Sequence, residues 1–156
     1  MSERHAKTSR AAIALVLALT ATGALAASAA ETAIATRQAG YKKMGGAFKA
    51  INEELKKASP DMKLIAANSA VVNTQAQQIP KWFPKGSGSE AGFKTKAKPA
   101  IWTEPAKFAA AGGALQAEAG KLQTFAAAGN LDAVKTQVRA VGGTCKSCHD
   151  AYRAED

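Results

Sequence analysis

The chain has 156 residues, 21 of them Lys or Arg against 12 Asp or Glu, and only two cysteines. That length suits one domain with one core, and two cysteines exclude a disulfide-stapled scaffold. The positive balance suits acidic partners or anionic surfaces and equally a simply solvated helical surface, and the lack of a basic run interleaved with aromatics points away from nucleic acid.

Arg4, Lys7 and Arg10 precede an apolar run from Ala11 to about Leu25, which ends among the small residues Ala26, Ala27, Ser28, Ala29 and Ala30. A short apolar stretch behind positive charges and ahead of small residues predicts a secretory signal peptide over residues 1–26, cleaved after Ala26 or Ala29. The mature domain is then residues 27–156, without a membrane span.

Past the leader, apolar or small residues recur at alternating steps of three and four, which keeps one side of a helix inward. Ile34, Arg37, Tyr41, Met44, Phe48, Ile51 and Leu55 form the first row. Ser59-Pro60-Asp61 breaks the chain, with Ser59 expected to cap the next helix and Pro60 to take its first position. Met62, Ile65, Ser69, Val72, Ala76 and Ile79 make the second row. Pro80 to Ala100, rich in proline, glycine and lysine, reads as a long crossover loop. Thr103 followed by Pro105 opens a third helix, lined by Phe108, Ala111, Leu115, Ala119, Leu122 and Phe125. Gly129-Asn130 ends it. A fourth runs from about Leu131 to Arg153, with Leu131, Val134, Val138, Val141, Cys145, Cys148 and Tyr152 in register.

No strand-like alternation is present. The expected fold is all-α, an antiparallel up-and-down four-helix bundle in which short links join neighbouring helices and the long loop crosses the bundle. Gly142-Gly143 sits inside the fourth row, where each glycine weakens a helix by about 1 kcal/mol relative to alanine. Close approach of a bulky group and a tolerated kink explain the pair equally well.

Cys145-Lys146-Ser147-Cys148-His149 is a C-x-x-C-H pentapeptide and uses both cysteines of the chain. The spacing matches covalent haem attachment: two thiols add to the two vinyl groups on one porphyrin edge, and the next side chain reaches the iron. Cys145 and Cys148 are thus the expected attachment points for one haem c, and His149 the axial ligand. A zinc site lacks a fourth ligand, since the other histidine, His5, lies in the leader. A redox dithiol belongs at a strand-to-helix junction, and a disulfide across two residues closes too small a loop to stabilise much. With both cysteines on the inward row, the haem completes the core.

Only seven residues follow His149, so any second ligand comes from upstream. Met62 falls at a bundle end. Met44 is inward, where methionine is usually core filler. Arg37 and Tyr41 are the unusual members of the first row. A buried guanidinium needs an acid, and a haem propionate is a suitable one. Tyr41, one turn later, then lies over the ring, and a phenol with a pKa near 10 is a poor ligand for ferrous iron at neutral pH. A five-coordinate haem with a tight, mostly apolar distal pocket is expected.

Arg37-Gln38-Ala39-Gly40-Tyr41-Lys42-Lys43-Met44-Gly45-Gly46 and Val141 to Arg153, with the pentapeptide at their centre, resemble cytochrome c′, the class of c-type cytochromes with a C-terminal haem motif. The resemblance covers essentially the mature chain. It implies that Cys145 and Cys148 carry the haem, that His149 is the proximal ligand, that Arg37 and Gln38 lie by a propionate, and that Arg153 lies on the proximal side. It further implies that position 41 sorts members: a coordinating methionine there goes with low-spin electron carriers, other residues with high-spin proteins that bind nitric oxide or carbon monoxide. Members commonly pair through helices one and two, although nothing in these rows requires a homodimer.

The expected function is that of a periplasmic haem protein, not an enzyme, that sequesters nitric oxide at a vacant iron position. The alternative is a low-spin electron-transfer cytochrome that meets redox partner proteins through its lysines. The lysine-rich loop from Pro80 to Pro99 resembles the second kind. Tyr41 favours the first.

Overall fold

The computed structural model describes the backbone of residues 4–155 and the side chains of residues 29–155. The leader predicted over residues 1–26 therefore lies outside the residues whose side chains are described. Among the described residues five helices follow one another: α1 (Arg4–Glu54), α2 (Met62–Gln78), the one-turn α3 (Ala100–Thr103), α4 (Pro105–Ala127) and α5 (Leu131–Tyr152). Two 3-10 turns, Ile79–Lys81 and Ser89–Ala91, punctuate the crossover loop. Among the described residues the only β-type pairing is one isolated bridge, between Ala97 and Arg153.

The four long helices form the bundle. Each inward row supplies its dry interior: Ile51 from α1, Ile65 and Val72 from α2, Leu122 from α4, and Val134 and Val141 from α5 are all but fully buried. Each such side chain contributes about 1.5–3 kcal/mol through the apolar surface it removes from water. Polar clasps tie the helices across their seams. Asn73 Nδ2 donates to Gln123 Oε1 at 2.5 Å, linking α2 to α4, and Gln137 Nε2 donates to the Glu118 carbonyl at 3.0 Å, linking α5 to α4.

Two helix starts differ from the sequence reading. Asp61, not Ser59, caps α2: its carboxylate accepts from the N–H groups of Lys63 and Leu64 at 2.8 and 3.2 Å. A carboxylate also answers the positive end of the helix dipole, and Pro60 is left outside the helix. Likewise Thr103 ends α3, its hydroxyl turned back to the Pro99 carbonyl at 3.4 Å. Glu104 occupies the cap position of α4 without a side-chain bond, and Pro105 takes the first turn, where its missing N–H costs nothing. The link between α4 and α5 matches expectation. Gly129 adopts φ +68°, which only glycine does freely, and the Asn130 side chain caps α5 through the Ala133 N–H at 3.0 Å.

The seams are unequal. α1 packs along α2, α2 along α4 and α4 along α5, whereas the backbones of α1 and α5 do not pack closely. They approach through side chains, with the Phe48 ring 3.8 Å from where a Cβ on Gly142 would sit. α5 runs without a break through Gly142 and Gly143, so the pair marks no helix end.

Candidate haem site

The gap between α1 and α5 is a cavity of about 690 Å³, within the ~300–1,000 Å³ range of cofactor sites. Every site residue expected from sequence borders it: Cys145, Cys148, His149 and Arg153 from the end of α5, and Arg37, Gln38 and Tyr41 from α1. Met44 and Phe48 extend the α1 wall, and Val72 joins from α2. Phe83, Ile101, Phe108 and Tyr152 close it on the remaining sides. The helical period alone brings the two walls together, because residues 37, 41, 44 and 48 share one face of α1 and residues 141, 145, 148 and 152 share one face of α5.

The crossover loop is fastened over the cavity at two points. On the α1 side, Arg37 donates from Nη1 to Ser87 Oγ at 3.0 Å, and from Nη2 to the Ser87 carbonyl and to Thr95 Oγ1, both at 2.7 Å. Its guanidinium also stacks on Phe83, 4.9 Å from the ring centre, and Gln38 Nε2 donates to the Lys94 carbonyl at 3.1 Å. On the α5 side, the Lys98 N–H donates to the Tyr152 carbonyl at 2.9 Å and the Ala154 N–H to the Lys96 carbonyl at 2.8 Å. Arg37 is only 3% exposed, so it does not reach out to bulk water. Burial lowers its pKa, yet an arginine remains charged at any ordinary pH.

Sequence reasoning passed over the residues that make this strap. Ser87, Thr95, Phe83 and Trp82 lie in a stretch without period, and their partners on α1 are some 40 to 60 positions away, so no local pattern announces them. The one available signal was composition: Trp82, Phe83 and Phe93 are large apolar residues in a loop otherwise polar.

The chemistry of the lining fits a covalently held haem. Both thiols are free and half-buried. Burial pushes both up from their usual pKa, Cys145 additionally because Cys148 is near. Among the described residues no three His, Cys, Asp or Glu side chains converge as a metal site of their own. His149 is exposed to the cavity side, and its pKa is lowered, first by partial burial and then by Arg153, which favours the neutral imidazole that a metal requires. Arg37, Lys42, Lys94, Lys96 and Arg153 all border the space, and among the described residues no carboxylate does. The margin of an apolar slot is thus electropositive, as two propionates demand. Burial also pushes the Tyr41 phenol well above its ordinary pKa, an effect strengthened by Cys148 and only partly opposed by Arg37. A phenolate from α1 is therefore disfavoured.

A helical bundle that leaves one seam open and lines it this way is the architecture of a haem protein. Residues 32–153 match the family model for cytochrome c′. A cytochrome c′ of Rhodopseudomonas palustris is 35% identical over 148 residues, covering 92% of this chain and 96% of the relative. Among solved structures, a nitric oxide complex of a mutant cytochrome c prime from Alcaligenes xylosoxidans superposes with a TM-score of 0.74 at 32% identity, covering 81% of this chain and 97% of that one. A cytochrome c′ described by an unusual ligand-controlled dimer dissociation superposes with a TM-score of 0.76 at 30% identity over the same shares. The chain belongs to the cytochrome c′ family, whose members carry covalently attached haem c and for which this bundle topology is a standing example.

Proposed function

We propose that this protein binds nitric oxide and carbon monoxide at a haem whose iron has His149 as its only protein ligand. Cys145 and Cys148 hold the haem by thioethers from one wall. Arg37 and Gln38 serve the propionate end, and Arg153 lies beyond His149 on the proximal side. When bound, the haem supplies an iron centre that changes oxidation state and takes diatomic ligands. The observation that carries the reading is the wall opposite His149: Tyr41 of α1 presents a phenol whose pKa burial raises further, and Phe48 of α1 and Val72 of α2 present hydrocarbon. Such a wall admits small uncharged ligands. The nitric oxide complex of the Alcaligenes relative supports the assignment.

A second reading has one observation of its own. Met44 also borders the cavity, and a thioether there suits a low-spin electron carrier whose basic margin meets acidic redox partners. Against it, Met44 is 8% exposed and belongs to the continuous apolar core with Ala47 and Ile51. The absorption spectrum of the reduced protein separates the two. A broad high-spin spectrum that shifts with carbon monoxide is expected; sharp low-spin bands indifferent to the gas would establish the carrier. Replacing Tyr41 by Met should convert the first spectrum into the second.

The leader over residues 1–26 makes the mature protein a periplasmic one, and no described helix is long and apolar enough to cross a membrane. A homodimer of this chain is proposed to pair through α1 and α2; the solved cytochrome c′ whose dimer dissociates under ligand control supports pairing of two copies as such.

A further inference from the structure

Tyr41 is braced by an element far away in sequence. The Trp82 indole meets its ring edge-on, with centroids 5.0 Å apart and planes at 72°. Trp82 is 6% exposed and does not line the cavity, so it stands behind Tyr41. It lies this close to α1 only because residue 40 is glycine: a Cβ there would fall 2.2 Å from Cζ2 and 2.4 Å from Cη2 of the indole. The indole is rigid, and any side chain at position 40 displaces it. The turn Ile79–Lys81 fixes the backbone of Trp82, whose main-chain N–H donates to the Ile79 carbonyl at 3.1 Å. Tyr41 has two side-chain torsions, and on this flank the space into which it might turn is filled.

We infer that Trp82 is a specificity-determining positioning residue: seated on the backbone at Gly40, it holds Tyr41 over the ligand side of the cavity and so limits the size and entry rate of diatomic ligands. The inference rests on the reading that ligands bind opposite His149. A ligand arriving there needs room that Tyr41 occupies. The barrier to its arrival is the displacement of Tyr41, and the edge-to-face contact with Trp82 is part of what must be broken.

The test uses the haem-loaded protein, with carbon monoxide association followed by flash photolysis. Trp82→Phe keeps an aromatic filler but shortens the brace, and Gly40→Ala pushes the intact indole away. Each should speed association about tenfold, the scale of one edge-to-face contact. In a Tyr41→Ala background the same changes should leave the rate within about twofold, because the braced ring is gone. Equal acceleration in both backgrounds, or none in either, would overturn the inference while leaving gas binding intact. A second readout is independent of gas: the ring-flip rate of fluorinated Tyr41 by NMR should rise in Trp82→Phe. A wild-type protein that takes no carbon monoxide removes the function proposed above, whereas an unchanged ring-flip rate removes the brace.

Discussion

The bundle has two kinds of seam, and they are built from the same helical period. Where α2 meets α4 and α4 meets α5, small and aliphatic residues such as Ile65, Ser69, Ala76, Ala119, Leu122 and Val134 are all but fully buried. Where α1 faces α5, the row members at matching positions are Arg37, Tyr41, Cys145, Cys148 and Tyr152, and the backbones stay apart around a cavity. A row of inward positions therefore specifies a bundle, but the chemistry of its members decides whether the seam closes. Bulky and polar residues on one seam keep it open, and the loop from residues 79 to 99 must then finish the wall that helices leave unfinished.

Two substitutions sharpen that contrast. Leu122→Ala, in a closed seam, should cost about 2–5 kcal/mol, since the surroundings collapse only partly into the space. Its measured signature is a lower urea midpoint with the absorption spectrum unchanged. Arg37→Ala, at the open seam, removes three donated bonds and the stacking on Phe83. A cost of about 3 kcal/mol is expected from bonds to a charged donor and the acceptors left behind. Here the haem reduction potential should shift and proteolysis within residues 82–98 should accelerate. Arg37→Lys should rescue only part, because an ammonium cannot reach Ser87 and Thr95 in the same planar fork. An Arg37→Ala protein with wild-type potential and a protected loop would mean that the two seams do not differ in the way described.

The division also explains what a reader of the sequence can and cannot see. The rows on α1, α2, α4 and α5 are legible because burial repeats every three or four positions, and Cys145, Cys148 and His149 because their chemistry demands contiguity. Arg37 and Tyr41 stand out as polar members of an inward row, which reveals that something unusual faces them. Their partners stay hidden. Ser87 is fully buried and holds Arg37, yet in the sequence it is one serine in a run of Gly86-Ser87-Gly88-Ser89. Trp82 depends on the absence of a side chain at Gly40, a relation between two positions that neither position displays. The cap of α2 is ambiguous in sequence for a smaller reason: Ser59 and Asp61 are both capping residues around Pro60, and only the backbone path chooses between them.

The smallest effect lies at the α1–α2 corner, remote from the cavity. Glu54 is a buried carboxylate that accepts from the Asp61 N–H at 3.2 Å and from the Lys57 ammonium, so it fastens the end of α1 to the start of α2. Its pKa is lowered, first by the bond to Lys57 and then by the bond to Asp61. A carboxyl whose folded pKa lies below its unfolded value of about 4.3 adds stability that is fully present above that value. The contribution falls away as pH drops through 4.3 toward the folded pKa, because the unfolded chain then binds the proton more readily than the native one. Glu54→Gln should therefore be less stable than the wild type at pH 7, and the gap should narrow steadily in urea titrations from pH 5 down to pH 3. Carbon monoxide binding at pH 7 should be the same in both proteins, since no part of this corner borders the cavity. A gap that stays constant with pH would assign the effect to packing at the corner and not to the charge of Glu54.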